Sequence, residues 1–199
     1  MLIEHEGKRP TVASTAWVAP NAVVCGDVTL GEDSRILFGA VVTAEAGSVS
    51  IGARSIVMEQ ALVRGRENHP TTIAADVIVG PHAHVNGATI EEAAFLATGT
   101  SVFPGARVGT GAEVRINGVV HVNSVLAPDA LVPIGWVAVG DPAEVLPPGE
   151  HDAIWAIQEG LDFPGTVFGL ERRPARELMP QVTRLYAERF GRHRDDRVL

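Results

Sequence analysis

The sequence predicts an all-β fold, a parallel β-helix of stacked hexapeptide repeats, followed by a shorter α-helical extension. Three observations carry this. Aliphatic residues recur at every sixth position with three interruptions, in the runs Val12, Val18, Val24, Leu30, Ile36 and Val42, then Ile51, Val57 and Val63, then Ile73, Val79 and Val85, and then from Ile90 to Val132 and Ala138. Small residues such as Ala16, Ala22, Ser34, Ala40, Ser55, Ala61, Ala83 and Ala94 stand four places after them. The period then stops at Pro147-Pro148. A sustained six-residue period suits neither an α-helix nor a two-sided strand, but it suits a solenoid in which each repeat forms one side of a coil.

Each element follows in order. Three hexapeptides make one triangular coil, and coils stack at about 4.7–4.9 Å, so residues one coil apart become ladder neighbours. Coils built from hexapeptides wind left-handed, a departure from the right-handed crossover rule. Gly26-Asp27, Gly31-Glu32-Asp33, Gly109-Thr110-Gly111 and Pro128-Asp129 supply corners, where positive φ or local hydrogen bonding is needed. The period is broken at Ala44 to Ser50 and at Arg64 to Thr72, and both stretches are expected to be loops. The second, RGRENHPTT, is polar and charged, and loops on a rigid scaffold are where function concentrates. Trp136 occupies a small-residue slot near the last coil and is expected to cap the core. Residues 1–148 thus form the β-helix and 149–199 the extension. In the latter, 150–159 reads as a short helix, LDFPGTVFGL as an apolar connector, and about 174–190 as a second helix with Leu178, Val182, Leu185 and Tyr186 on one side. GRHRDDRVL is expected to be a frayed charged tail.

Composition narrows the function. The chain has 199 residues, 46% of them hydrophobic but only 5% aromatic, which fits a narrow core filled by Val, Ile and Ala. A net charge of -8 without a basic stripe argues against nucleic-acid binding. No apolar run is long enough to cross a bilayer. The single cysteine, Cys25, excludes an intrachain disulfide and is expected to be an ordinary partly buried thiol with no base nearby. With no charged-then-apolar leader, a cytoplasmic protein is expected.

Counting in sixes assigns outward side chains to faces. The first face, with Thr11, Thr29, Ser50, Gly52, Thr72 and Gly109, is small and polar. The second carries Trp17, Arg35, Leu37, Ile56, Met58, Ile78, Phe95 and Leu131, and the third Val41, Thr43, Leu62, Arg64, His84, Asn86, Phe103, Val119 and His121. Two such apolar faces predict burial against other copies of the chain, and a ring using two different faces per subunit closes as a homotrimer. The small-residue face is left for the C-terminal helix.

From about Gly26 to Pro148 the chain resembles the γ-class carbonic anhydrase-like branch of the hexapeptide proteins. The resemblance rests on GDVTLGEDSRILFGAVV, VSIGARSIV, VIVGPHAHVNGATI and the closing VPIGWVAVGDPAEVLPP. It implies a left-handed β-helix and a trimer. It also implies where a metal would sit, because members hold zinc or iron through three histidines at a subunit interface. Those places here hold Arg64, Pro81 and Asn86, none of them a normal zinc ligand. The family's Arg-Gly-Asp reads Thr43-Ala44-Glu45, and its Asn and Gln near the metal become Ile56 and Met58. The zinc-hydroxide mechanism is therefore not expected, nor is any cofactor.

What remains is a cleft lined by Thr43, Met58, Arg64, His84, Asn86 and Phe103, expected to take a small, anionic molecule with Arg64 as clamp. Glu45, Glu59, Arg64, Arg66 and Glu67 should cluster there, with Glu45 or Glu67 as a general base, or else as an intersubunit salt-bridge cluster in which Arg64 fills the hole left by the metal. Hexapeptide proteins are also often acyltransferases, and His69, the loop histidine, or the cleft histidine His82 could be the base of such an enzyme, with Arg107 and Arg115 available for the CoA phosphate. A third alternative is a relocated metal held by His69, His84 and a neighbouring subunit's His82.

Overall fold

The structure, a computed structural model, describes residues 1–199. Nearly every predicted hexapeptide is a short strand, and the sixth-position side chains point to the axis. Ile36, Val57, Val79, Leu96, Val114 and Val132 are wholly buried, as are Ala22, Ala40 and Ala112 among the small residues. They belong to one cluster of 32 buried residues, so the core is a single column along the coil axis. Trp136 packs against its end, as a cap should.

The ladders follow the count in sixes. The second face is a separate seven-stranded parallel sheet in which Trp17, Arg35, Ile56, Ile78, Phe95, Glu113 and Leu131 stack in register. The first and third faces join into one 15-stranded sheet, because the strands Val23–Leu30 and Val41–Ile51 bend around their common corner. The segment Ala44 to Ser50, expected to be a loop, is thus the middle of a strand. At the other corners Asp33, Asp76, Asn117, Asn123 and Asp129 adopt positive φ, as short polar side chains do readily. Arg54, Gln60 and His82 do so as well, at a cost of about 1–2 kcal/mol each.

Both ends of the large sheet change direction. At the top, Glu144–Leu146 folds back antiparallel on Val137–Val139. At the bottom, Leu2–Glu4 adds a parallel strand beside Val23–Leu30, and Arg197–Val198 pairs antiparallel with it. The tail predicted to fray is therefore docked, with its charges used: Arg192 lies 3.1 Å from Glu6, and Asp196 lies between two histidines.

The extension forms three helices, α1 (His151–Gln158), α2 (Phe163–Phe168) and α3 (Ala175–Gly191). The supposed connector contains α2, because Asp162 accepts from the backbone N–H of Gly165 at 3.2 Å and Pro164 starts its first turn. The helices cover the third face and not, as expected, the small-residue first face. Phe163 lies 6.0 Å from the rings of both Phe103 and His121, Gln158 meets His121 at 2.7 Å, and Asn123 donates to Thr166 at 2.9 Å. The reason is apolar area: the first face offers threonine, serine and glycine, whereas the third offers rings for the extension's aromatics to cover.

Candidate active site

The helices pack on the third face, and the interface between them holds the candidate residues. Its floor is set by register, which stacks Cys25, Thr43, Arg64 and Asn86 on successive coils. One wall is a hairpin in which Arg66 and His69 exchange backbone hydrogen bonds of 2.9 and 3.1 Å. The hairpin packs backbone to backbone on the strand Val41–Ile51. A Cβ at Gly47 would strike the carbonyl of Arg66, and one at Gly65 would meet the Ser48 carbonyl oxygen at 2.5 Å. Only glycine permits this approach.

Arg64 is held from two sides. Its Nε lies 3.1 Å from Glu45 Oε1, and Phe190 of α3 places its ring centroid 5.9 Å from the guanidinium carbon. The Glu45 contact is an ion pair without hydrogen-bond alignment, so Nε itself has no hydrogen-bond partner. Beside it, His84 Nε2 and Asn86 Oδ1 are buried and equally unpartnered, and so is His121 Nδ1. Burial, with Arg64 and Arg66 nearby, holds the His84 imidazole below its ordinary value of 6.5. Burial does the same for His121. Both rings are thereby kept neutral at pH 7. Phe103 stands edge-on to His84 at 6.3 Å, and Thr43 is buried at the base of the ladder.

A cavity of about 440 Å³ adjoins this floor, between the hairpin and α2 and α3. Arg66, Glu67, His69, Tyr186, Arg189 and Arg192 line it. Arg66 is buried and donates to the Val167 carbonyl and to Tyr186 Oη, which pins the helices over the cleft. His69 is held below 6.5, first by burial and then by Arg66. Glu67 is exposed and pairs with Arg189 at 3.6 Å.

The structure thus brings together Thr43, Glu45, Arg64, His84, Asn86 and Phe103, with His69 and Glu67 in the adjoining cavity. It does not bring the remaining candidates there within one chain. His82 is exposed at the corner between the second and third faces, where its N–H donates to the Glu59 carbonyl. Met58 and Pro81 line a different, apolar groove with Phe95, Ile116 and Ile134. Glu59 accordingly stays out of the Arg64 cluster, and His69, His82 and His84 form no metal-ligating group in one chain. A guanidinium paired with Glu45 and an amide do not fit a zinc site, since neither is among zinc's ordinary donors.

Two features escaped the sequence reading. Aromatic rings form a chain from Phe103 through Phe163, Phe168 and Tyr186 to Phe190, with successive centroids 5.2 to 6.0 Å apart. Its signal was present, since Phe163, Phe168 and Phe190 are half of the six phenylalanines and sit in the extension. The second is at Cys25, which was expected to lack partners. Its Sγ lies 3.8 Å from Asp196 Oδ2, beside His5, and burial followed by the Asp196 charge pushes the thiol up to about 11.

The triangular solenoid and its ladders define a hexapeptide-repeat protein. Comparisons with known proteins place it more narrowly. No family model matches the chain. The mitochondrial γ carbonic anhydrase 1 of Arabidopsis thaliana is 31% identical over 145 residues, which is 70% of this chain and 50% of that protein. An uncharacterised protein of Dictyostelium discoideum is 27% identical over 96% of this chain and 78% of its own length. The crystal structure of a proposed acetyltransferase from Bacillus cereus superimposes with a TM-score of 0.56 at 26% identity, covering 83% of this chain and 94% of that one. The chain therefore fits the γ-carbonic anhydrase-like hexapeptide-repeat proteins, and it spans about half the length of the plant relative it matches. No helix in it is long and apolar enough to cross a membrane.

Proposed function

We propose that the cleft over Arg64, His84 and Asn86 binds a small anionic molecule, in a homotrimer that carries no zinc at the family position and does not hydrate carbon dioxide. The observation that carries this is that Arg64 Nε, His84 Nε2 and Asn86 Oδ1, on two adjacent strands, are buried without a hydrogen-bond partner. Leaving one such atom buried and unpaired costs about 1–3 kcal/mol, so a ligand that satisfies several at once gains that much from each. A carboxylate accepts from the guanidinium and from a neutral imidazole N–H, and a hydroxyl or amino group on the same molecule donates to the amide oxygen. The ligand class is therefore a small carboxylic acid bearing a donor group. Thr43 and Phe103 close its floor and side.

The cavity favours a second reading. His69 is neutral at pH 7 and shares about 440 Å³ with Arg66, Arg189 and Arg192, and a structural neighbour is a proposed acetyltransferase. Here His69 would take the proton from an acceptor hydroxyl or amine. The freed lone pair attacks a thioester carbonyl, and the departing thiolate recovers a proton from the imidazolium. Glu67 would orient Arg189 against the thioester's phosphates.

Titration of the purified protein with lactate, glycine and bicarbonate separates these. Saturable binding is expected, weakened about tenfold to a hundredfold in Arg64→Met by loss of a charge-assisted bond. Zinc-dependent carbon dioxide hydration would overturn the first reading, and acetyl-CoA turnover abolished by His69→Ala would establish the second.

A further inference from the structure

Away from the cleft, at the bottom of the solenoid, His5, Cys25, His193 and Asp196 form the one group in the molecule whose metal-ligating atoms all lie within 4.8 Å of one another. His5 comes from the residues after the first strand, Cys25 from the strand Val23–Leu30, and the other two from the segment after α3. Asp196 is the hub. Its Oδ1 lies 2.6 Å from His5 Nδ1, and its Oδ2 lies 2.8 Å from His193 Nδ1 and 3.8 Å from Cys25 Sγ. His5 and Cys25 are only 3% and 4% exposed, whereas His193 and Asp196 face the surface and leave a way in.

We propose that these four side chains are a binding site for a divalent transition metal of the zinc class. Two imidazoles, a thiolate and a carboxylate are an ordinary zinc donor set, and all four positions being protein ligands makes the site a structural one. In a tetrahedral site with bonds of roughly 2.0–2.3 Å the donors stand about 3.3–3.8 Å apart, so the sulfur contact already fits and the two short contacts need only open slightly. Charge balances too. A thiolate and a carboxylate neutralise the dication, the imidazoles stay neutral, and the thiol proton leaves to solvent as the metal–sulfur bond forms. Without a cation, two imidazole rings stack at 4.3 Å and a buried thiol faces a carboxylate at 3.8 Å.

The site joins the two ends of the sequence described here, His5 and Asp196 being 191 residues apart. It would fasten the segment after α3 to the lowest coil and thereby hold α3 over the cleft. Cys25 lies one coil below Thr43, but none of the four ligands is among the residues proposed to hold the anion, so the anion reading can fail without it.

The test uses the untagged 199-residue chain, purified without chelator. One equivalent of zinc per chain is expected by elemental analysis. After its removal, cobalt(II) should restore one equivalent with a thiolate-to-cobalt charge-transfer band. Cys25→Ser should lose that band. His193→Ala, at a partly exposed position, should keep the fold by circular dichroism and bind at least tenfold more weakly, whereas His69→Ala/His84→Ala should bind as wild type. Folded wild-type protein that takes up neither zinc nor cobalt, a cobalt spectrum without the thiolate band, or full binding by His193→Ala would overturn the site.

Discussion

Three imidazoles in and beside the cleft, His69, His84 and His121, are held below 6.5 chiefly by burial. The unfolded chain then binds more protons than the folded one between each folded value and 6.5, so stability rises with pH across that window. The contribution is fully present above 6.5 and is lost as pH falls through the folded values. The urea midpoint should therefore drop from about pH 7.5 to about pH 5.5, and the drop should be smaller in His84→Gln, which cannot take a proton. An identical pH dependence in the variant would remove His84 from the account. The protonation that destabilises the fold also puts a second cation beside Arg64, so the same titration reports on the cleft.

Between elements, the decisive contact is the hairpin Arg66 to His69 against the strand Val41–Ile51, where Gly47 meets a carbonyl rather than a yielding side chain. Gly47→Ala should cost about 1–3 kcal/mol by the urea midpoint, because backbone must move. Gly149→Ala, with open space around it, should stay within about 0.5 kcal/mol. Equal midpoints for the two variants would contradict the packing described. This level was only partly legible in the sequence. The broken period marked both insertions, yet it could not tell that Ala44 to Ser50 continues as strand, because an insertion disturbs the count whether or not the backbone stays extended. Helix α3 was visible through Leu178, Val182 and Tyr186. Helix α2 was not, since six residues hold too little of a helical period to be seen. Which face the helices cover was also hidden, because the ruler that numbers the coils ends at Pro148.

At the scale of the molecule, the covered third face shifts attention to the second. Trp17, Phe38, Leu131 and Ile134 are 42%, 51%, 49% and 67% exposed in the single chain, and on the helices Trp155 and Leu185 are 41% and 44% exposed. Face against helices is a head-to-tail contact between unlike surfaces, which can close as a ring of three. Light scattering should give the mass of a trimer, and Leu131→Arg/Ile134→Asp should give a monomer with an unchanged circular dichroism spectrum. A monomeric wild-type protein would refute the assembly. The cleft's floor was legible at this scale for the same reason as the fold, since a strict period places Thr43, Arg64 and Asn86 on one ladder without further information. Its roof, and the partners of Cys25, depended on where the extension docks. Finally, the two antiparallel strands at the ends of the large sheet bear on solubility. Stacked parallel coils leave a row of unpaired backbone groups above and below, each able to accept another molecule's coil. Glu144–Leu146 and Arg197–Val198 occupy those rows on one side of the triangle at each end, running the wrong way to continue the stack, so the addition of another molecule's coil is obstructed there.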